Sequence, residues 1–104
     1  MKECRLSREA VVEIAEAAAW YASRQPGLET EFLNEVKRIL PLIGSYPDSF
    51  PLLLDLPEEL SIRRALLPRF PYALVFMELP PEVRVLAVAH LRRRPGYWLN
   101  RIRS

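Results

Sequence analysis

Between positions 62 and 91 the chain holds three apolar, strand-like runs whose connections are far too short for a helix. Ile62–Leu67 leads through Pro68, Phe70 and Pro71 to Tyr72–Leu79, and Pro80-Pro81 turns that run into Val83–Leu91. Parallel neighbours need a crossover of roughly a dozen residues or more, so the three runs are expected to form an antiparallel meander. The pleat adds a demand. Val83, Val85, Ala87, Ala89 and Leu91 alternate with Arg84, Leu86, Val88 and His90, while Ala73, Val75 and Met77 alternate with Tyr72, Leu74 and Phe76. Both faces are largely apolar, whereas a sheet with one face in water alternates apolar with polar side chains. Both faces therefore need cover.

The N-terminal half supplies part of it. Residues 2–6 suit a short first strand. Ser7 then offers a hydroxyl to cap a helix, with Glu9 in the first turn, where a carboxylate meets the positive end of the helix dipole. Val11, Ile14, Ala18 and Tyr21 recur at helical spacing as the expected buried stripe, leaving Glu9, Glu13 and Glu16 outside. Trp20 also falls on the outer side, either packed by a neighbouring segment or kept for a partner. After Gln25-Pro26-Gly27 a second helix carries Phe32, Leu33, Val36, Ile39, Leu40 and Ile43 on one face, with Glu35 and Arg38 on the polar side. Pro41 cannot donate to the Lys37 carbonyl, which predicts a kink or an early end. So short a turn predicts an antiparallel hairpin of helices. Residues 44–60, punctuated by Gly44, Pro47, Pro51 and Pro57, read as a loop. The expected architecture is α+β, one domain over residues 1–104: an N-terminal strand and a helical hairpin packed on a small antiparallel sheet. One hairpin shelters one face only, so a partner chain is expected on the other.

Charge is divided unevenly. Residues 1–59 carry six Lys/Arg against eleven Asp/Glu, a net −5; residues 60–104 carry nine Arg against Glu78 and Glu82, a net +7. Either the halves attract each other across the fold, or the arginine-rich half faces nucleic acid or an acidic partner. Arginine's planar fork suits phosphate and carboxylate, which favours the second reading. Other classes drop out. No apolar run approaches the roughly 18–20 residues that span a bilayer, and Met1–Arg5 opens no signal-peptide core. A lone cysteine, Cys4, cannot form an internal disulfide, which makes the cytoplasm the expected compartment. One Cys and one His cannot build a zinc site, and with no phosphate-binding loop or nucleophile elbow neither a metal nor a small-molecule cofactor is expected.

The order strand, helix hairpin, three-stranded meander, basic tail resembles the RelE/ParE superfamily, the plasmid-stabilisation toxins of type II toxin–antitoxin pairs. Ser7–Tyr21 and Phe32–Tyr46 followed by Pro47 look like the two helices. Ile62-Arg63-Arg64-Ala65-Leu66-Leu67 and Tyr72-Ala73-Leu74-Val75-Phe76 are similar to the arginine-bearing strand and its successor. Val85–Arg93, with Pro95 and Tyr97-Trp98 beyond it, resembles the closing strand, its His-x-Arg-Arg turn and the aromatic that follows. The resemblance implies a toxin held inactive by a cognate antitoxin. It also implies one of two targets: DNA gyrase for ParE-like members, or messenger RNA cut on the ribosome for RelE-like ones.

Cutting RNA through its 2′-oxygen needs a proton acceptor, a proton donor and cations beside the developing phosphorane. Arg64, His90, Arg93 and Tyr97 are the right types and are the candidate catalytic residues. Yet Ala73 and Leu91 stand where the resemblance to RelE-like nucleases implies arginines, and each lost cation removes about 3 kcal/mol of transition-state stabilisation. The only histidine, His90, is either a general base or a structural donor–acceptor fixing the Arg92–Arg94 turn. Tyr97-Trp98 either packs on the sheet edge or stacks on a base. The expected function is a ParE-like toxin. The alternatives are an mRNA interferase using the four candidates, and a basic RNA-binding module without toxicity.

Overall fold

The computed structural model describes residues 2–103. Strand β1 (Glu3–Leu6) precedes helices α1 (Arg8–Arg24) and α2 (Leu28–Ser45). Strands β2 (Ile62–Leu66), β3 (Tyr72–Leu79) and β4 (Glu82–His90) follow, with 3-10 turns at Pro47–Ser49, Glu58–Leu60 and Leu99–Arg103. The sheet order is β1-β4-β3-β2. Strands β2, β3 and β4 form the expected antiparallel meander, but β1 lies parallel to β4, with Cys4 opposite Val83 and Leu6 opposite Val85. The sheet is therefore mixed rather than wholly antiparallel. The helical hairpin and the first two meander strands, lying between β1 and β4 in the chain, supply the long crossover that parallel pairing requires.

Ser7 caps α1 as expected, its hydroxyl accepting from the Ala10 N–H at 3.1 Å. The buried face of α1 is Ala10, Glu13, Ala17 and Tyr21; Val11, placed in the stripe from spacing, is 50% exposed. The helix is rotated by about one position from that expectation. Small Ala10 and Ala17 allow close approach to the sheet, and Glu13 turns inward to polar partners described below. Helix α2 buries Phe32, Val36, Ile39 and Ile43 and runs through Pro41 to Ser45 instead of ending early. Pro41 is exposed, so water can satisfy the carbonyl it leaves without an N–H. Glu35, assigned to the polar face, is buried instead: its carboxylate accepts from Arg69 Nε at 2.7 Å, and Arg69 also reaches Glu31 at 2.8 Å. Tyr21, Phe32, Phe70 and Tyr72 close this layer, Phe70 lying 4.9 Å from Tyr21 and 5.4 Å from Phe32 between ring centroids.

Strand β4 does not keep strict alternation. Val75 pairs with Ala87 but Phe76 pairs with Val85, leaving Leu86 as the extra residue of a β-bulge. The bulge switches the pleat's phase. Val83, Val85 and Val88 face the helices with Leu74 and Phe76, while Leu86, Ala87 and Ala89 share the opposite face with Val75 and Met77. The expectation that a partner chain must cover this opposite face is corrected by the chain itself. Trp98, Tyr97 and Ile102 of the C-terminal segment pack there, joined by Leu53, Leu56 and Leu60. The segment read as a loop has structure of its own: Leu52 bridges to Arg63, and the Leu53 N–H donates to the Ile62 carbonyl at 2.9 Å, covering the outer edge of β2. No helix among the described residues is long and apolar enough to cross a membrane.

Candidate functional site

Folding consumes part of the positive charge. Arg63 donates to the Phe50 carbonyl at 2.6 Å and lies 3.7 Å from Asp48. Arg69 is held by Glu31 and Glu35, Arg84 lies near Glu82, and Arg101 is held by Glu13. Among the described residues Arg64, Arg92, Arg93 and Arg94 have no such carboxylate partner. Three of these four, Arg64, Arg93 and Arg94, line one cavity of about 400 Å³ on the sheet face away from the helices. Its floor is Ala73, Val75 and Ala89, and one wall is the Leu53–Leu56 stretch, where Asp55 is the one carboxylate lining it. The opposite wall is the chain from His90 to Leu99.

All four candidate residues border this cavity, on different footings. Arg64 reaches it from β2, beside the apolar floor where Ala73 sits. The Arg93 guanidinium stacks on the Tyr97 ring, 3.8 Å from its centroid. The Tyr97 hydroxyl donates to Glu13 Oε2 at 2.6 Å. Burial, and then the hydrogen bond and charge of Glu13, push Tyr97 up to about 12, so it carries its proton throughout the neutral range. His90 ends β4 with its ring 5.0 Å from Tyr72, and its Nδ1 accepts from the Arg92 backbone N–H at 3.0 Å. In the neutral ring that leaves the proton on Nε2. His90 and Arg93 also border a second depression of about 440 Å³ beside α1, lined by Trp20, Tyr21 and Tyr72. Trp20 is 52% exposed there, with the Arg24 guanidinium 4.6 Å from its ring centre. Among the described residues no three His, Cys, Asp or Glu side chains gather as a metal site.

Sequence reasoning missed Glu13 and Arg101. Glu13 Oε1 accepts from the Val88 N–H at 2.9 Å and from Arg101 Nη1 at 3.0 Å; Oε2 accepts from Tyr97 and from Arg101 Nη2 at 3.1 Å. Arg101 also donates to the carbonyl of Leu86, the residue that the bulge adds to β4. The signal available was spacing: Glu13 falls in one helical row with Ala10, Ala17 and Tyr21. Nothing in the sequence marks Arg101 apart from the arginines around it.

No family model and no curated protein matches this sequence. A solved structure does. The chain is similar to a chain of the "Chromosomal ParDE TA system from P. aeruginosa", with a TM-score of 0.72 over 86% of this chain and 96% of that one, at 17% sequence identity. At that identity the likeness is one of fold. The chain thus has the α+β fold of that toxin–antitoxin chain, the RelE/ParE-like fold that its motifs resemble.

Proposed function

We propose that this chain is the toxin of a type II toxin–antitoxin pair, neutralised by a cognate antitoxin protein in the cytoplasm, and that it acts in the ParE-like manner, on DNA gyrase. The fold supports the toxin reading. The choice of mode rests on one observation: of the four candidate residues that border the cavity, none is poised to accept a proton. Tyr97 is a donor committed to Glu13, and His90 spends Nδ1 on the Arg92 N–H. Arginine itself stays protonated and serves only as a cation. With Ala73 in the cavity floor and Leu91 at its margin, the site is suited to gripping an acidic or phosphorylated surface and poorly suited to transferring protons.

The test expresses the chain alone and together with its antitoxin, scores growth, and then assays the purified chain against gyrase supercoiling and against messenger RNA in a translating extract. Growth arrest relieved by the antitoxin, with supercoiling inhibited and messenger RNA intact, is the expected result. Codon-phased cleavage products would transfer the proposal to the interferase reading, with Arg64, His90, Arg93 and Tyr97 as its catalytic set. RNA binding without growth arrest would leave the basic RNA-binding module.

A further inference from the structure

The cavity is made, not given by the sheet. Its floor is the apolar face of β3 and β4, and without the segment from Arg93 to Leu99 that face has no wall on this side. Among the described residues, the backbone hydrogen bonds of this segment are all local: Arg93 to His90, Tyr97 to Arg94, Leu99 to Gly96 and Arg101 to Trp98. The segment therefore adds no strand to the sheet. Beyond the packing of Trp98 and Ile102, its attachment is polar, running through Tyr97 and Arg101 to Glu13 and from Arg101 to the Leu86 carbonyl. Glu13 lies on α1 and is not part of the cavity lining.

We infer that Glu13 is a positioning residue for the basic cavity: it clamps the C-terminal segment in the pose that builds the cavity wall and sets Arg93 in place. The chemistry of the clamp is specific. A carboxylate this deeply buried is tolerable only when both oxygens are satisfied, and here four N–H or O–H donors are supplied, two of them from one planar guanidinium. Two donors come from the C-terminal segment's arginine fork and one from its tyrosine, while the fourth is the Val88 N–H beside the bulge. The same carboxylate thus joins α1, β4 and the segment. Its effect passes to the cavity through Tyr97, whose ring carries the Arg93 guanidinium at 3.8 Å. Loss of the clamp leaves the fold's helix-facing core intact and frees the wall. The inference holds for any partner of the cavity and does not depend on the toxin reading.

The test uses the full chain with Trp20→Phe, which makes Trp98 its single tryptophan. Adding Glu13→Gln keeps the side chain's size and removes its charge. The expected result is a red shift of Trp98 emission and amide exchange over residues 97–102 faster by at least about tenfold, with exchange in β3 unchanged. The Arg93 Hε resonance, displaced by the Tyr97 ring current, moves to its open-chain position. Tyr97→Phe keeps the ring and removes one bond, so it gives a smaller change in the same direction. In a double-mutant cycle Glu13→Gln and Arg101→Gln are markedly less than additive. If Glu13→Gln folds with Trp98 emission, segment exchange and the Arg93 resonance as in the parent, the inference is overturned and apolar packing alone holds the segment. If Glu13→Gln does not fold, Tyr97→Phe and Arg101→Gln decide, and unchanged exchange over residues 97–102 in both overturns it equally.

Discussion

Two aromatic residues, Phe32 and Trp20, show how far the part a ring plays depends on its environment. Phe32 is fully buried against Tyr21, Phe70 and Tyr72, whereas Trp20 is half exposed under Arg24. Phe32→Ala is expected to lower the unfolding free energy by about 3–5 kcal/mol, and Trp20→Ala by less than about 1 kcal/mol, as read from urea denaturation midpoints. Tyr97 makes a prediction about pH. Its folded value is raised from 10.0 to about 12, so the native state holds this proton more tightly than the unfolded chain does. The stability it contributes is complete below pH 10 and is lost as pH rises through 12. Between those values the parent should lose stability more steeply than Tyr97→Phe. Alkaline absorbance titration should show one fewer late-ionising tyrosine in the variant. If the two proteins keep parallel stability profiles from pH 10 to 12, the Tyr97–Glu13 bond is not what holds that proton.

Among the elements, β1 and α2 meet where a side chain cannot fit. A Cβ at Gly44 would stand 2.6 Å from the Lys2 backbone oxygen, and the Lys2 N–H donates to the Gly44 carbonyl at 3.1 Å. Gly44→Ala should therefore push β1 away from the helix despite alanine's better helix propensity, at a cost of about 1–3 kcal/mol. Faster amide exchange confined to β1 and the end of α2 is the signature; a variant more stable than the parent would mean that β1 is seated elsewhere. Helix α2 and its proline were legible as separate facts, but their outcome was not. Local chemistry says that Pro41 forfeits one hydrogen bond. That the helix nonetheless continues depends on Ile43, one turn beyond Ile39 and two beyond Val36, being wholly buried in the core.

Across the whole molecule, charge is sorted by folding. Arginines near Glu31, Glu35 and Glu13 are neutralised in place, while Arg64, Arg93 and Arg94, without a carboxylate partner, line one cavity. Arg93→Ala should weaken binding of the antitoxin by about 1.5–3 kcal/mol and abolish growth inhibition, while Arg38→Ala, exposed on α2, does neither. Calorimetry at two salt concentrations separates the causes, because attraction between exposed charges fades with screening and a buried ion pair persists. Equal behaviour of both variants and the parent would remove the functional face from this half of the molecule. With its second sheet face covered by its own C-terminal segment, the isolated chain is also expected to sediment as a monomer. A concentration-dependent dimer that binds a hydrophobic dye would show that the cover opens in solution.

Spacing and connection length alone determined the elements: the meander follows from strands joined by a few residues, the hairpin from two apolar periodicities flanking Pro26-Gly27, the α1 cap from Ser7. These are local properties, settled within a few residues of chain. Residue type and resemblance singled out Arg64, His90, Arg93 and Tyr97, but that they border one cavity follows from the tertiary structure. Local sequence could not set the phase of a helix whose apolar residues are mostly alanines, nor place a one-residue bulge in an unbroken apolar strand, because neither changes any local preference. Those were decided by contacts between residues about eighty positions apart. Glu13 is drawn inward by Tyr97, Arg101 and the Val88 N–H, and Arg101 also binds the carbonyl of Leu86, the bulge residue. The same long-range bonds hold the basic C-terminal segment across the sheet, so that a face which seemed to need another chain is covered by this one.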